Sequence, residues 1–235
     1  MKKTILITGA SSGIGACVAK LFLKQGWNVA LIARRVDELK TVADNHENSL
    51  CIVCDVTQED QVIAAFKSVV NHFGRLDVLF NNAGIFTPQS RIDKIRLSDW
   101  QQSLDVNLTG MFLSAREAFR HMKLLGGRII NNGSISAHTP REGSAPYTSS
   151  KHAITGLTKT IALDGRTLNI CCGQIDIGNA HTEMVANLIR EGGAAETMLV
   201  SDAAEAVLSM AQLPLTTNIL SMTIMANKMP FVGRG

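Results

Sequence analysis

The sequence predicts an α/β domain, a doubly wound parallel sheet of about seven strands with helices on both faces. Short apolar runs alternate along the chain with longer segments that carry apolar residues at helical spacing. Strands that alternate with helices are typical of βαβ units, in which the strands lie parallel. No internal repeat, low-complexity tract or linker interrupts the alternation, so residues 1–235 are expected to form a single domain.

The predicted strands are short runs rich in Val, Ile and Leu, a composition typical of strands buried on both faces. The first of them, Thr4–Thr8, is followed directly by a glycine-rich turn. The others are predicted at Val29–Ala33, Leu50–Cys54, Val78–Asn81, Arg128–Asn132, Asn169–Cys172 and Ser221–Met225.

The helices are predicted where apolar residues recur three and four positions apart. The clearest one starts at Pro146, which suits the first turn of a helix, and stops before Gly165. The full set is Ala16–Lys24, Val36–Asn45, Glu59–Phe73, Ser98–Lys123, Pro146–Leu163 and Asp202–Leu213.

Composition excludes several classes of protein. The chain is 46% hydrophobic and 18% charged, and its formal net charge of +3 is spread along the sequence, unlike a nucleic-acid-binding surface. The apolar run Ile5–Ile7 is too short for a signal peptide, and no stretch approaches the length of a membrane span. We therefore expect a cytoplasmic protein that binds neither nucleic acid nor membrane.

The five cysteines, an odd number, fit a reduced compartment. Cys51 and Cys54 have CxxC spacing, but they lie in a predicted strand, whereas redox CxxC pairs usually open a helix. The sequence therefore predicts no redox centre and no metal site.

The turn after the first strand predicts a dinucleotide site of the Rossmann type. Its glycines allow a tight turn, close approach of the backbone to a pyrophosphate, and close packing of the helix on the sheet. The following helix N-terminus offers free N–H groups to phosphate. The residues expected to bind the cofactor here are Gly9, Ser11, Ser12, Gly13, Ile14 and Gly15.

The end of the second strand favours NADP(H). An acidic residue there would accept hydrogen bonds from the adenosine ribose of NAD, but the strand ends in Ala33. Arg34 and Arg35 follow, and two guanidinium groups can bind a 2′-phosphate. NAD(H) is the alternative cofactor.

Tyr147 and Lys151 lie one turn apart on the same face of their predicted helix. An ammonium group about 4 Å from a phenol favours the phenolate by roughly 4 kcal/mol at an effective dielectric of about 20, enough to bring the pKa near physiological pH. Such a tyrosine can donate a proton to an alkoxide or remove one from an alcohol. Ser134, just after a predicted strand, can hydrogen-bond the same oxygen.

Together these motifs resemble those of the short-chain dehydrogenases/reductases. The resemblance runs from about Thr4 to Ile175 and continues more loosely to the end of the chain. The matching motifs are Thr8-Gly9-x3-Gly13-x-Gly15, Asp55-Val56, Asn81-Asn82-Ala83-Gly84, Asn107, Ser134 and Tyr147-x3-Lys151.

For the cofactor, the resemblance implies that Asp55 meets the adenine amino group with Val56 packed beside it. Asn82, Ala83 and Gly84 would line the cofactor with their backbone, and Gly173 and Ile175 would flank the nicotinamide. The sequence departs from the family pattern at three positions. Ser12 stands where many NADP-dependent members carry a basic residue, and Cys172 replaces a proline. Ile177 replaces a threonine that often bonds the carboxamide, and Thr182 is a candidate to take over that role.

For catalysis, the resemblance implies that Tyr147 is the proton donor and that Ser134 orients the substrate carbonyl. Lys151 would bind the nicotinamide ribose and lower the pKa of Tyr147, and Asn107 would hold a water that links Lys151 to solvent. The implied enzyme is an NADP(H)-dependent oxidoreductase that interconverts a ketone or aldehyde and its alcohol.

The same fold could also serve a cofactor sensor or a methyltransferase, and the sequence argues against both. A catalytically idle NADP(H)-binding sensor or scaffold would tolerate loss of the catalytic groups, yet all four are present. A methyltransferase of similar fold would want an acid at the end of the second strand, where Ala33-Arg34 stands.

The substrate pocket is expected between Ile85–Leu97, Ser136–Ala145 and Gly178–Leu199. The expected apolar walls are Phe86, Met184 and Leu188, the expected solvated loop residues are His138, Arg141 and Glu142, and the expected lid hinge is Gly192-Gly193.

Apolar stripes on the helices Ser98–Lys123 and Pro146–Leu163, together with the resemblance, predict a homodimer or homotetramer. Ala226-Asn227-Lys228 stands where the family has Asp-Gly-Gly, so the tail Met229–Gly235 is expected to pack differently, at a subunit interface.

Overall fold

The seven strands of the structure, a computed structural model that describes residues 1–182, 185 and 196–231, form one sheet. All neighbouring strands are parallel, in the order β3-β2-β1-β4-β5-β6-β7. Their bounds are β1 Thr4–Thr8, β2 Asn28–Ala33, β3 Ser49–Val53, β4 Val78–Asn81, β5 Gly127–Asn132, β6 Ile170–Ile177 and β7 Ser221–Ile224. The predicted doubly wound α/β fold is confirmed.

Helices cover both faces of this sheet. They are α1 Gly13–Lys24, α2 Val36–Ala43, α3 Glu59–Phe73, α4 Leu97–Leu104, α5 Gly110–Met122, α6 Ala145–Asp164 and α7 Val200–Gln212. Short 3-10 turns lie at Ile92–Lys94, Ile135–Ala137 and Arg166–Leu168. Across the ranges that the structure describes, no helix is both long enough and apolar enough to cross a membrane.

Side-chain alternation along the strands divides the core into two layers. Ile5 and Ile7 of β1 face a layer completed by α1, α2 and α7, whereas Leu6 faces a layer completed by α3 and α5. Large side chains in both layers, such as Phe22 and Phe66, are almost fully buried. Because both faces are covered, the central strands are apolar along their whole length, as their sequences indicated.

The strand order places a crevice at the carboxyl edge of the sheet. Successive strands are added first on one side of β1, as β2 and β3, and then on its other side, as β4, β5, β6 and β7. The loops after β1 and β4 therefore diverge and leave a gap, the usual ligand site in open α/β sheets.

Three predicted element boundaries were wrong by more than two residues. Strand β6 continues to Ile177, five residues beyond the predicted end, and α1 begins at Gly13, three residues early. The predicted helix Ser98–Lys123 is α4 and α5 joined by a π-helical turn at Asp105–Thr109. Gln174 and Asp176 of β6 look like the polar end of a strand, but both are buried and hydrogen-bonded to residues of other elements.

Candidate active site

The glycine-rich turn lies directly against the loop after β4. Gly9 has a φ of +66°, which L side chains rarely adopt, and a Cβ there would come 2.9 Å from the Cα of Ala83. A Cβ on Gly15 would collide with the carbonyl oxygen of Gly9. Gly15 thus allows α1 to pack under the turn and does not itself line the crevice.

Hydrogen bonds fix the ends of β1, β4 and β5 to one another. The Thr8 hydroxyl oxygen accepts from the backbone N–H groups of Asn82 (2.9 Å) and Ala83 (3.0 Å). The Asn82 amide donates to the Thr8 carbonyl at 2.9 Å, and the Asn132 amide donates to the Asn82 side-chain oxygen at 2.9 Å. The floor of the crevice is therefore rigid without any bound ligand.

A cavity of about 660 Å³ fills the crevice. It brings together most of the residues predicted from the sequence, namely Gly9, Ser11, Ser12, Gly13, Ile14, Arg34, Arg35, Asp55, Val56, Asn82, Ala83, Gly84, Ser134, Tyr147 and Lys151. Residues that the prediction did not assign to the cofactor or to catalysis also line it, among them Ile85, Arg141, Asn179, Ala180 and Val185.

Gly173 and Ile175 do not reach this cavity, which corrects the prediction that they flank the nicotinamide. Ile175 is fully buried in the core, and Gly173 lies against the backbone at Ile219, the residue shortly before β7. Because β6 runs on to Ile177, the carboxyl edge of the sheet is reached later in the chain. Ile177 and Gly178 line the cavity in their place.

At one end of the cavity, the residues after β2 and β3 supply charge. Arg35 donates to the hydroxyl groups of Ser11 (3.1 Å) and Ser12 (3.2 Å) and pairs with Glu38 at 3.3 Å. Arg34 is exposed and makes no hydrogen bond or ion pair with the part of the chain that the structure describes. Asp55 accepts from the backbone N–H of Thr57 at 3.0 Å.

At the other end, Tyr147 projects from the first turn of α6, where Pro146 suits the helix start. Its ring packs on Phe86 with centroids 4.2 Å apart. Burial raises the pKa of Tyr147 above its ordinary value, while a hydrogen bond with Ser134 and the charge of Arg141 act in the lowering direction. The expected lowering of this pKa is therefore not found in the protein without cofactor, since desolvation of the phenolate is the largest influence.

Lys151 is almost fully buried, and its ammonium group donates to the Asn132 carbonyl at 2.7 Å. It lies 5.5 Å from the centroid of the Tyr147 ring. Burial lowers the pKa of Lys151 to about 8, with the charge of Asp176 acting in the opposite direction. The predicted one-turn proximity of the tyrosine and the lysine is confirmed.

Asn107 lies in the π-helical turn between α4 and α5 and is fully buried. Its side-chain oxygen accepts from the Ile85 N–H at 2.8 Å, and its amide donates to the Ile85 carbonyl at 3.0 Å. Asn107 thus fixes the loop after Gly84 without lining the cavity. Its proposed water-holding role stays a prediction. Single π-helical turns are often found at functional sites.

Asp176 and His138 form a pair that sequence reasoning missed. Asp176 is fully buried, and its carboxylate accepts from the Ser134 N–H at 2.9 Å and from the Gln174 amide at 2.6 Å. His138, expected to be a solvated loop residue, lies 2.8 Å from the other carboxylate oxygen. The pair fixes the backbone at Ser134, whose hydroxyl oxygen in turn accepts from the Ser136 N–H at 3.1 Å.

The predicted apolar walls and lid are only partly described. Phe86 lines the cavity as expected, whereas Met184, Leu188 and Gly192-Gly193 lie outside the described residues. Of the tail, Met229 packs close to Gly178. A Cβ added at Gly178 would lie 3.1 Å from the Met229 sulfur. Residues 232–235 also lie outside the described ranges.

The residues present fit a nicotinamide dinucleotide. Ser12 makes no side-chain cap to α1, whose first turn has no acidic residue, so the N–H groups there are open to phosphate. Asn132 lines the cavity, and its buried side-chain oxygen has no partner among the described residues. The turn Gly9–Gly15 would hold the pyrophosphate, and Tyr147 and Lys151 lie at the opposite end.

Comparisons with known proteins agree with this geometry. A family profile described as "short chain dehydrogenase" matches residues 3–192. A 3beta-hydroxysteroid dehydrogenase of Mediterraneibacter gnavus is 36% identical over 178 residues, which cover 74% of this chain and 64%, just under two thirds, of that protein.

Solved structures are similar over almost the whole chain. A 3-ketoacyl-(acyl-carrier-protein) reductase from Brucella melitensis, complexed with NADH, has a TM-score of 0.88 at 25% identity, covering 96% of this chain and 97% of its own. ElxO with NADP bound has a TM-score of 0.85 at 30% identity, covering 95% and 98%. The chain therefore belongs to the short-chain dehydrogenase/reductase family, oxidoreductases that act on alcohol and carbonyl groups.

Proposed function

We propose that the protein is an NADP(H)-dependent oxidoreductase that interconverts the carbonyl and alcohol forms of a small, largely apolar substrate. The observation that carries this proposal is one continuous cavity. The glycine-rich turn and Arg34 lie at one end of it, and Tyr147, Lys151 and Ser134 lie together at the other. The cytoplasmic location stays a prediction.

The proposed chemistry assigns one task to each side chain. A nicotinamide, when bound, supplies or accepts the hydride. The Tyr147 hydroxyl donates a proton to the substrate oxygen during reduction, which its raised pKa favours because the phenol stays protonated at neutral pH. The Ser134 oxygen accepts from Ser136, and its own O–H, which hydrogen-bonds Tyr147 in the protein without substrate, can donate to the same substrate oxygen. The Lys151 ammonium binds the ribose.

A screen of ketones and aldehydes that follows the loss of NADPH absorbance tests this function. We expect turnover with carbonyl compounds that have apolar skeletons, because Ile85, Phe86 and Ile177 line the reacting end of the cavity. Tight NADPH binding without turnover of any carbonyl or alcohol would instead support an idle cofactor-binding protein.

The cofactor preference should depend mainly on Arg34. Arg35 is already engaged by Ser11, Ser12 and Glu38, whereas Arg34 has no partner within the described ranges. We expect NADP(H) to bind at least about tenfold more tightly than NAD(H), about 1.4 kcal/mol. Arg34→Ala should remove most of this preference without weakening NADH binding.

Fluorescence titration of NADPH and NADH against both single variants measures the effect. Arg35→Ala is the matched control and should change the preference less, since it removes the same charge from a side chain with other partners. Equal affinities of the unaltered protein for the two cofactors would overturn the assignment.

We also propose a homodimer or homotetramer that forms through α5 and α6. Phe112 on α5 and Leu163 on α6 are about half exposed, 45% and 56%, although both are large apolar side chains. A second copy of the chain would cover these side chains. Light scattering at micromolar concentration should give at least twice the chain mass of 25.3 kDa, and a monomer would refute the proposal.

A further inference from the structure

We propose that Arg141 makes the reacting end of the cavity a carboxylate site, so that the substrate is an oxo acid or hydroxy acid. This inference rests on the proposed function and adds the substrate class. Arg141 lies in the loop before α6 and lines the cavity. Its guanidinium carbon is 6.0 Å from the centroid of the Phe86 ring, which itself packs on Tyr147.

Positive charge at this end of the cavity is not balanced by the described lining residues. Among the described residues that line this end, the charged side chains are Arg141 and Lys151, and both are cationic. Asp55, the single carboxylate among the described lining residues, follows β3, while Ser134 follows β5. Four strand spacings separate β3 from β5, about 19 Å, so Asp55 is too distant to pair with Arg141.

The two cations are not equivalent. The Lys151 ammonium is held by the Asn132 carbonyl and lies beside the proton donor. Arg141 forms no ion pair in the described part of the chain, and Glu142, its neighbour in sequence, is exposed and does not pair with it. Asp176 is engaged by Ser134, Gln174 and His138 and does not line the cavity.

A carboxylate matches this cation better than a neutral group does. The guanidinium offers a planar pair of N–H donors that carboxylates accept in a bidentate manner. An apolar ligand would remove water from Arg141 without replacing its hydrogen bonds, which is unfavourable. Since the Phe86 ring packs on Tyr147 and has the Arg141 guanidinium near it, the carboxylate should be separated from the reacting carbon by about the width of a ring.

Binding to the NADPH complex tests the site without any turnover. We expect 4-ethylbenzoate to bind at least tenfold more tightly than 4-ethylbenzamide by titration calorimetry. Arg141→Met should abolish the preference, and Arg141→Lys should keep part of it. Arg166→Met is the matched control, because Arg166 is exposed and precedes β6 at the opposite edge of the sheet. No preference in the unaltered protein, or one that survives Arg141→Met, would overturn the site.

Turnover separates this inference from the proposed function. We expect 4-acetylbenzoate to be reduced with at least tenfold higher kcat/KM than its methyl ester, mainly through KM, and Arg141→Met to equalise the two. Equal kcat/KM values that Arg141→Met leaves unchanged would overturn the carboxylate site and leave the carbonyl reductase function standing. Carboxylate binding that depends on Arg141, together with undiminished turnover in Tyr147→Phe, would leave the site standing and overturn the proposed mechanism.

Discussion

Replacing Tyr147 by phenylalanine should reduce turnover by about 10²–10⁴-fold, the range expected for loss of a general acid, and should leave NADPH affinity nearly unchanged. The ring contact with Phe86 is preserved in the variant, so packing at the start of α6 is kept. The hydroxyl is the group lost, and with it the proton for the substrate oxygen. Single-turnover kinetics and NADPH titration of both proteins separate the chemical step from binding.

The chain offers an independent measurement of this proton, because Tyr147 is its single tyrosine. Tyrosinate absorbance therefore reports one residue. In the protein without cofactor we expect a pKa above the ordinary value of about 10, since burial of the phenolate outweighs the Ser134 hydrogen bond and the Arg141 charge. The signal must vanish in Tyr147→Phe.

The direction of the pKa change fixes the pH dependence. Reduction needs the protonated phenol and should lose rate only as pH rises through the pKa of Tyr147, whereas oxidation of an alcohol needs the phenolate and should gain rate over the same range. Undiminished turnover in Tyr147→Phe would remove the proposed acid, whatever the titration shows.

Features that depend on neighbouring residues could be predicted from the sequence. Glycines in a turn between a strand and a helix carry a local conformational requirement, which Gly9 meets with its positive φ. Tyr147 and Lys151 share a helix face because the α-helix repeats every 3.6 residues. The parallel sheet followed in the same way from the alternation of apolar strands and amphipathic helices.

Features that depend on distant residues could not. Gln174 and Asp176 look like the polar end of a strand, yet β6 continues through them because residues from other elements satisfy their side chains. His138 and Arg141 share one short loop before α6, but one pairs with a buried carboxylate and the other lines the cavity. Sequence spacing does not encode that difference, and from the sequence alone both residues are expected to be solvated.

The π-helical turn is a second case. A continuous helix from Ser98 to Lys123 satisfies the apolar periodicity, and no proline or paired glycines mark a break. The turn becomes understandable only with the loop after β4 in place, since the Asn107 side chain bonds both backbone groups of Ile85. Gly110, at the start of α5, packs closely on Val56. A Cβ added at Gly110 would lie 2.8 Å from the Val56 side chain.

Lys151→Met should damage function while relieving the folded state of a buried charge. Loss of a charged hydrogen bond to the ribose should weaken NADPH binding by about 1.5–3 kcal/mol, roughly tenfold to a hundredfold. Turnover should fall as well, because the ammonium beside Tyr147 would no longer stabilise the phenolate. Lys159→Met, on an exposed position of the same helix, is the matched control and should change neither quantity.

The same variant should change how stability depends on pH. Burial lowers the pKa of Lys151 from 10.5 to about 8, so between these values the unfolded chain binds more protons than the folded one. The Lys151 contribution to the free energy of unfolding therefore rises with pH across this window, by about 3 kcal/mol in total. Methionine cannot titrate, so the stability gained by Lys151→Met should be largest below pH 8 and should shrink as pH approaches 10.5. Urea unfolding at several pH values measures this difference, in which the titrations of the buried cysteines cancel. The same comparison in a Tyr147→Phe background removes the tyrosine, whose pKa the ammonium affects. A difference that does not vary with pH would show that Lys151 is not charged and buried as the structure places it.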